Sequence, residues 1–313
     1  MDKIGVHYLH IDCKSNEQLD DFLTQNAAFN QLPFDIHLIS ENIPAFDPRL
    51  IQNPQNRICI QLENCKEIST HFFDYPIQKG IAITTITELT TLQLRWLEKI
   101  DFVMLMCTVP GQSGGQFDKI NFQRINQLKH LFPKIKITID GGVNSEVAFI
   151  LKLLDVDTVV SGSYLMKQNE YGANMLSLLH PVATHNIKIA DFMLPISSCP
   201  ILAGDGFSFL ECVQAIDNGK QGFVLIQGNT GKLEAVVTNA DIRKAIIAYW
   251  GDLANLKAHQ YVNTSPFVIN PCMTVKEMLK IIEEAGRVIL FLPVVDDTEK
   301  LVGVVPLNHL AKG

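Results

Sequence analysis

Short apolar segments alternate with helical stretches along residues 1–180, at intervals of roughly 20 to 30 residues that are typical of βα repeats. The stretches Leu89–Leu97 and Ile120–Leu131 have the period of amphipathic helices. The apolar segments are predicted as seven strands: Val6–Asp12, Phe34–Leu38, Ile58–Leu62, Ile81–Thr84, Phe102–Met106, Ile135–Asp140 and Thr158–Val160. This α/β pattern predicts a (β/α) barrel one unit short of eight, with an open doubly wound sheet as the alternative.

The second part of the chain contains an internal repeat, which follows a change of composition at residues 180–186. Phe223–Val237 aligns with Phe291–Val305 without a gap, and a helical run precedes and follows each copy. These runs are Phe209–Ile216, Asp241–Ile247, Val275–Ile282 and Asn308–Ala311. Neither ββα copy can bury its apolar face alone, so the two are expected to pack face to face. The predicted organisation is a barrel at 1–180, a linker at 181–188 and a paired module at 189–313, with copies at 189–250 and 260–313.

Composition excludes several classes of protein. The 313 residues are 47% hydrophobic and 19% charged, as in ordinary globular proteins, and are enough for one large and one smaller domain. A net charge of -7 argues against nucleic acid or an anionic membrane as the main partner. No apolar segment reaches about 18 residues, and the N-terminus has no signal-peptide pattern. The seven scattered cysteines have no CxxC spacing, which predicts reduced thiols and a cytoplasmic protein.

Histidines and acids occur where three predicted strands end. His10 and Asp12 are two residues apart, so their side chains point to the same side of the sheet, while His37 and Asp140 end the second and sixth strands. A lone histidine at a strand end is more often part of the surface or core than a ligand, and Asp12 could simply cap the next helix. In a parallel barrel, however, these strand ends meet at one mouth. Two imidazoles and two carboxylates there predict a divalent-metal site for zinc, iron or manganese.

Glycine turns follow the sixth and seventh strands. Asp140-Gly141-Gly142 leads into a predicted helix capped by Asn144 or Ser145, and Gly162-Ser163 follows the last strand. Asp-Gly-Gly also forms ordinary turns. Backbone N–H groups at such turns and at a helix start nevertheless suit a phosphate group, which indicates a phosphorylated substrate beside the carboxylate.

Five motifs occur in order, at fitting spacings, along residues 7–163. They are His10-Ile11-Asp12, Asp35-Ile36-His37-Leu38, the stretch Met106–Phe117, Ile139-Asp140-Gly141-Gly142-Val143-Asn144 and Ser161-Gly162-Ser163. In this order they resemble the ribulose-phosphate 3-epimerase family, whose members are TIM-type (β/α) barrels. The resemblance covers nearly the whole first domain.

The resemblance implies a role for each matching residue. His10, Asp12, His37 and Asp140 would bind one divalent metal ion (Zn, Fe or Mn), and Asp12 and Asp140 would transfer protons on opposite faces of the sugar C3. Substrate phosphate would be held by backbone N–H groups at Gly114, Gly142, Gly162 and Ser163. Met106 would line the substrate pocket.

The sequence also departs from the family pattern. Members typically begin with a strand and a helix, and Asp2–Val6 matches only the end of that helix, so the barrel is expected to be incomplete unless a neighbouring chain or an upstream segment supplies the piece. A loop of the family is replaced by Cys13–Glu17, and its H-x-E reads Gln61-Leu62-Glu63. These departures place catalytic activity in question more than binding.

The repeat resembles a CBS pair (a Bateman module), most of all that of arabinose-5-phosphate isomerases. Ala190–Leu194 and Val237–Arg243 carry this likeness. It implies that Thr238 and Asp241 contact an adenine nucleotide or a nucleotide-sugar, although Thr238 could equally be a helix N-cap. The second copy reads Pro306-Leu307-Asn308-His309, which has neither group. CBS pairs commonly associate through their helices, so a homodimer or larger homo-oligomer is expected.

The expected function is metal-dependent epimerisation at C3 of a ketose phosphate, D-ribulose 5-phosphate to D-xylulose 5-phosphate, through an enediolate and under nucleotide control. Two alternatives remain open. One is a catalytically inactive regulator that binds sugar phosphate and nucleotide, and the other is an epimerase of a hexulose 6-phosphate.

Overall fold

The computed structural model describes residues 6–26, 32–43, 47–65, 68–91, 94–109, 114–167, 170–180, 187–204 and 206–308. The chain divides into two compact units, Met1–Ala183 and Thr184–Gly313. Each unit has its own sheets and its own core.

The first unit is a parallel sheet with helices between its strands. Its strands are β1 Leu9–Cys13, β2 Phe34–Leu38, β3 Arg57–Gln61, β4 Gln78–Thr84, β5 Phe102–Met106, β6 Lys136–Asp140 and β7 Thr158–Val160. Its helices are α1 Asn16–Gln25, α2 Thr70–Phe73, α3 Leu94–Leu97, α4 Ile120–Leu131, α5 Ser145–Leu153 and α6 Tyr171–Leu179, with 3-10 turns at Pro48–Gln52 and Leu89–Thr91. The strands follow one another in sequence order across the sheet, so the prediction of seven βα strands is confirmed.

The seven-stranded sheet curls into a nearly closed barrel. β1 and β6 are five places apart in the strand order, which in a flat sheet would separate them by about 24 Å. Instead His10 Nε2 on β1 lies 3.7 Å from Asp140 Oδ2 on β6. Strong curvature is needed to bring these atoms together, so the open doubly wound sheet is excluded.

Side chains alternate between the two faces of each strand, and this alternation places the polar groups inside the barrel. On β2, Phe34 faces outward and packs edge-on against Phe22 of α1, with ring centroids 4.9 Å apart. Asp35 and His37 point the other way, towards β1 and the interior. All five residues of β2 are buried, because the helices cover one face and the barrel encloses the other.

One predicted helix is not α-helical over its whole described length. Residues 89–97 form the 3-10 turn Leu89–Thr91 and the short helix α3, while residues 92 and 93 lie outside the described part. By contrast, α4 has the predicted limits. Asn144 is the N-cap of α5, since its side chain accepts a hydrogen bond from the Val147 N–H.

The second unit consists of two three-stranded sheets with flanking helices. Its helices are α7 Ile189–Phe192, α8 Phe209–Gly219, α9 Asn239–Ala248 and α10 Val275–Glu284, with 3-10 turns at Ile196–Ser198, Leu253–Asn255 and Ala258–Gln260. Its strands are β8 Leu194–Pro195, β9 Ile201–Ala203, β10 Phe223–Gln227, β11 Leu233–Thr238, β12 Phe291–Val295 and β13 Leu301–Pro306. The sheets have the orders β11-β10-β9 and β12-β13-β8.

The two hairpins of this unit, β10–β11 and β12–β13, are structural copies. Both are antiparallel, and the pairing register shifts after Ile226 in one and after the equivalent Val294 in the other. Phe223 and its equivalent Phe291 stack on each other with ring centroids 4.0 Å apart. The internal repeat therefore corresponds to a pair of ββα units that share a core, as predicted. The helix predicted at Asn308–Ala311 falls largely outside the described residues.

The short strand β8 belongs to the predicted first copy of the repeat but pairs with β13 of the second, with Leu194 opposite Val304. The segment before the first hairpin thus completes the other sheet, a connection that the alignment of the repeats does not reveal.

Among the described residues of both units, no helix is long and apolar enough to cross a membrane. All seven cysteines are free thiols, in agreement with their irregular spacing.

Candidate metal centre

Four side chains predicted as ligands meet at the carboxyl ends of the barrel strands. We call them the mouth cluster: His10, Asp12, His37 and Asp140. They come from β1, β2 and β6, and one potential ligand atom from each lies within 4.8 Å of those from the others. The register explains the grouping, because Asp12 lies beside His37 across the β1–β2 pair.

Asp12 lies between the two imidazoles. Its Oδ1 atom is 3.3 Å from Nε2 of His10 and 3.0 Å from Nδ1 of His37. His37 is fully buried, whereas about a third of the Asp12 side chain is exposed at the mouth of the barrel. Asp12 is therefore the member of the cluster that solvent or a substrate reaches most easily.

The second nitrogen of each imidazole is bound from outside the cluster. Nδ1 of His10 donates to Oδ2 of Asp35 at 2.7 Å, and Nε2 of His37 donates to Oε1 of Gln61 at 2.8 Å. The Gln61 amide is itself oriented, because its nitrogen donates to the Glu63 carboxylate and to the Ala82 carbonyl. These outer contacts determine which nitrogen of each ring faces the cluster.

The arrangement fits a divalent cation. With one nitrogen donating outward, the other nitrogen of each ring presents a lone pair to a carboxylate, as His37 Nδ1 does to Asp12 Oδ1 at 3.0 Å. Two such electron-rich atoms need a cation between them, either a proton on the ring or a metal ion. Ligands around a tetrahedral zinc ion lie about 3.4 Å from each other, since each is about 2.1 Å from the metal. The observed spacings of 3.0, 3.3 and 3.7 Å, together with the nitrogen and oxygen donors, match such a site.

The pKa values of the two acids of the cluster are shifted in opposite directions. Burial raises the pKa of Asp140 above its ordinary value, and the negative charge of Asp12 adds to this effect against the opposing charge of His10. Burial also acts to raise the pKa of Asp12, but hydrogen bonds from His10 and His37 outweigh it and bring this pKa well below the ordinary value. Acids whose pKa values are pushed apart in this way are typical of general acid–base pairs.

The surroundings of His10 shift its pKa strongly upward. Burial alone would lower its pKa, but the hydrogen bonds to Asp12 and Asp35 and the charges of Asp35 and Asp140 raise it to about 10. The protein groups by themselves therefore favour a positive charge at this point of the barrel, the sign of charge that a metal ion carries.

The residues predicted to hold phosphate lie in three loops at the same end of the barrel. Gly114 follows β5, Gly142 follows β6, and Gly162 and Ser163 follow β7. Gly142 has φ +69° and lies so close to the preceding loop that an added Cβ would be 2.2 Å from the Phe117 nitrogen, so this position requires glycine. Within the described residues, the N–H groups of Gly142, Gly162 and Ser163 donate to no protein acceptor.

Met106 ends β5 beside Asp140, its register partner on β6. It is almost fully buried in a cluster inside the barrel with Cys59, Ala82, Phe102 and Met104. Met106 thus places an apolar side chain next to the polar mouth cluster.

Sequence reasoning assigned no role to Asp35, Arg57 or Gln61. Asp35 and Arg57 are register partners on β2 and β3, and both are buried. In the sequence, Asp35 and Arg57 are opposite charges near the starts of two neighbouring strands that are otherwise largely apolar. A charge is almost never fully buried unless it is paired, so this pattern could have identified Asp35 and Arg57 as a buried ion pair.

Thr238 and Asp241 form a capping box at the start of α9. The Thr238 N–H and hydroxyl both donate to Oδ2 of Asp241, at 3.0 and 2.7 Å, and the Asp241 N–H donates to the Thr238 hydroxyl at 3.2 Å. The structure therefore shows the capping role. The nucleotide role inferred for these residues stays a prediction.

Fold and cluster together define a (β/α)-barrel protein with a histidine–carboxylate centre suited to a divalent metal ion. The chain belongs to the ribulose-phosphate 3 epimerase family, whose model matches residues 1–166. Residues 258–313 match the CBS domain. The resemblance of the N-terminal part to this family is thereby confirmed, and so is the CBS resemblance of the second copy of the repeat. The particular likeness to arabinose-5-phosphate isomerases stays a prediction.

Several curated relatives carry the name ribulose-phosphate 3-epimerase. Ribulose-phosphate 3-epimerase of Helicobacter pylori is 28% identical over 179 residues, which cover 53% of this chain and 82% of the relative. The enzyme of the same name from Aquifex aeolicus is 29% identical over 139 residues, or 42% of this chain and 62% of the relative. That of Bacillus subtilis is 22% identical over 184 residues, or 54% and 84%.

Among solved structures, similarity is found to CBS proteins. A CBS domain-containing protein of unknown function from Bacillus anthracis has a TM-score of 0.36 and 14% identity, covering 41% of this chain and 91% of its own. The CBSX2 protein in complex with AMP has a TM-score of 0.34 and 17% identity, covering 41% and 95%.

Proposed function

We propose that the protein catalyses metal-dependent epimerisation at C3 of a ketose phosphate, D-ribulose 5-phosphate to D-xylulose 5-phosphate, and that nucleotide binding to the CBS pair regulates it. The observation that carries the proposal is the mouth cluster, which combines two carboxylates and two imidazoles at the open end of a barrel of this family. The relatives named above support the choice of substrate.

Inversion at C3 requires proton transfer on both faces of the carbon. One acid removes the proton next to the ketone, and the other returns a proton on the opposite face of the enediolate. Asp12 and Asp140 lie on β1 and β6 and have pKa values pushed in opposite directions, as a pair that alternates between base and acid requires. A divalent ion held by the mouth cluster would supply positive charge for the enediolate oxygens. His10 and His37 would bind the same ion as the two carboxylates.

The loops after β5, β6 and β7 would hold the substrate by its phosphate. The N–H groups of Gly142, Gly162 and Ser163 are available to an anion, and the positive end of the α5 dipole lies next to the loop after β6. A phosphate held there would leave the sugar close to Met106 and Asp140, which are register partners at the ends of β5 and β6.

The proposal is tested by metal analysis of the purified full chain together with an epimerase assay on D-ribulose 5-phosphate. We expect one zinc, iron or manganese ion per chain and formation of xylulose 5-phosphate that stops on chelation and returns when metal is added back. A hexulose 6-phosphate assayed in parallel distinguishes the alternative substrate. Absence of bound metal in protein that is folded by circular dichroism would refute the proposal.

A second candidate function is that of a catalytically inactive regulator that binds sugar phosphate and nucleotide. The open edges of the barrel favour this alternative, since within the described residues β1 pairs only with β2 and β7 only with β6. The replacement of the family's histidine by Gln61 also favours an inactive protein. Bound metal with no turnover, in wild type as in Asp140→Asn, would support this alternative.

Nucleotide binding at the first CBS copy can be separated from helix capping. Thr238→Ala and Thr274→Ala each remove the side-chain cap of a helix, α9 or α10, so each should lower the free energy of unfolding by about 1 kcal/mol. Only Thr238→Ala should weaken AMP binding, by about tenfold, because a hydrogen bond to a charged group is lost. Isothermal titration with AMP measures this difference. Equal AMP affinities in the two variants would limit Thr238 to its capping role.

Assembly and location complete the proposal. The expected homodimer or larger homo-oligomer is measured by sedimentation of the full chain. Free thiols at all seven cysteines support a reducing compartment such as the cytoplasm.

A further inference from the structure

We infer that Asp35 positions His10 for metal binding and that Arg57 holds Asp35 in place. The inference rests on the metal site of the proposed function and adds two residues to it. Neither belongs to the mouth cluster, and both are buried.

Asp35 is in contact with a ligand of the cluster. Its side chain is 1% exposed, and its Oδ2 atom accepts the Nδ1–H of His10 at 2.7 Å. This bond leaves Nε2 of His10 directed at Asp12 and Asp140, at 3.3 and 3.7 Å. A carboxylate bound to the outer nitrogen of a ligand histidine sets its tautomer and ring orientation and makes the ring a stronger ligand.

Arg57 holds the Asp35 carboxylate from below with two hydrogen bonds. Its Nε donates to Oδ1 at 2.7 Å and its Nη2 donates to Oδ2 at 2.9 Å. Such a bidentate pair fixes the plane of the carboxylate as well as its position. Oδ2 is thereby shared between Arg57 and His10, so the orientation of the imidazole depends on the guanidinium.

Arg57 itself is fixed on several sides. Its guanidinium lies over the Tyr8 ring at 4.4 Å and the Phe102 ring at 4.6 Å, measured to the ring centroids. Its Nη1 donates to the Thr138 hydroxyl on β6 at 3.3 Å, two residues before Asp140. A chain of contacts thus runs from β6 through Arg57 and Asp35 to His10.

The ion pair between Arg57 and Asp35 also balances the charge inside the barrel. Arg57 compensates Asp35, so the carboxylate can support His10 without adding net negative charge to the centre. The other imidazole, His37, has the neutral amide of Gln61 as its outer partner. His10 thus has a charged outer hydrogen-bond partner and His37 a neutral one. His10 should therefore be the stronger metal ligand.

The test is the affinity of the purified full chain for Zn²⁺, measured by competition with a chromophoric chelator. Asp35→Asn should weaken Zn²⁺ binding by about 10- to 100-fold, the usual effect of losing an outer partner of a ligand. Asp157→Asn is the matched control, because it is the same change of an acid to its amide at the opposite end of the barrel, where the Asp157 carboxylate accepts the Ile137 N–H and not a bond from His10. Its Zn²⁺ affinity should stay within about twofold of wild type, and ¹⁵N imidazole shifts should report a changed His10 tautomer balance only in Asp35→Asn.

Asp35→Asn leaves the Arg57 charge buried without its partner, which could prevent folding. A double variant is therefore measured as well. Asp35→Asn combined with Arg57→Met removes both charges and should bind Zn²⁺ as weakly as the single variant. Wild-type affinity in either variant would overturn the positioning role and leave the proposed function standing. Failure of wild type to bind Zn²⁺ would overturn both.

Discussion

Replacing Asp140 by asparagine should lower the rate of interconversion of ribulose 5-phosphate and xylulose 5-phosphate by about 10³-fold at saturating metal, within the range that general acid–base groups contribute. The amide has the shape of the carboxylate and keeps an oxygen for a metal ion, but it cannot accept the C3 proton. Because Asp12 still serves its own face, one of the two epimers should exchange its C3 hydrogen for solvent deuterium without inverting. NMR in D₂O measures inversion and exchange separately.

Asp157→Asn is the matched control for Asp140→Asn. Asp157 precedes β7 at the opposite end of the barrel, where its carboxylate accepts the Ile137 N–H at 2.8 Å. Its replacement should leave inversion and exchange unchanged. Inversion at the wild-type rate in Asp140→Asn would assign the proton transfer to another group, and loss of exchange in both epimers would show that Asp140 is needed on both faces.

The strands and the mouth cluster were predictable because their signals are local. Strand period places His10 and Asp12 on one side of β1, and the parallel order of the strands brings Asp140 to the same end of the barrel. The predicted limits of β2 and β5 agree with the structure. Apolar segments enclosed by helices on one face and by the barrel on the other are short, continuous and easily recognised.

The rest depended on contacts between residues far apart in sequence. The link from Arg57 to Thr138 spans 81 residues and crosses the barrel, so no local pattern encodes it. The pairing of β8 with β13 likewise joins one copy of the repeat to the sheet of the other. The 3-10 turn at Leu89–Thr91 was missed because an apolar pattern of helical period does not distinguish an α-helix from a short 3-10 turn.

Replacing Arg57 by methionine should lower the free energy of unfolding of the first unit by about 3 kcal/mol or more, which is the usual effect of breaking a buried ion pair. The side chain of Arg57 is 4% exposed and that of Asp35 is 1% exposed, so water cannot compensate the carboxylate that remains. Among the described residues, His10 is then the only charged partner left to the Asp35 carboxylate. Methionine has a similar volume, which keeps the loss of packing against Tyr8 and Phe102 small.

Arg49→Met is the matched control, because Arg49 pairs with Asp47 and Asp20 while its side chain is 32% exposed. Its loss should lower the free energy of unfolding far less than the loss of Arg57, because surface ion pairs contribute little to stability. The two variants are compared by urea denaturation of the full chain, followed by tryptophan fluorescence. Both also carry Trp250→Phe, so that Trp96 alone reports the unfolding of the first unit. Trp250 is 77% exposed, so its replacement should have little effect on stability. Equal shifts for Arg57→Met and Arg49→Met would show that the buried pair is no more important for folding than the exposed one, and that Arg57 is retained for its hold on Asp35.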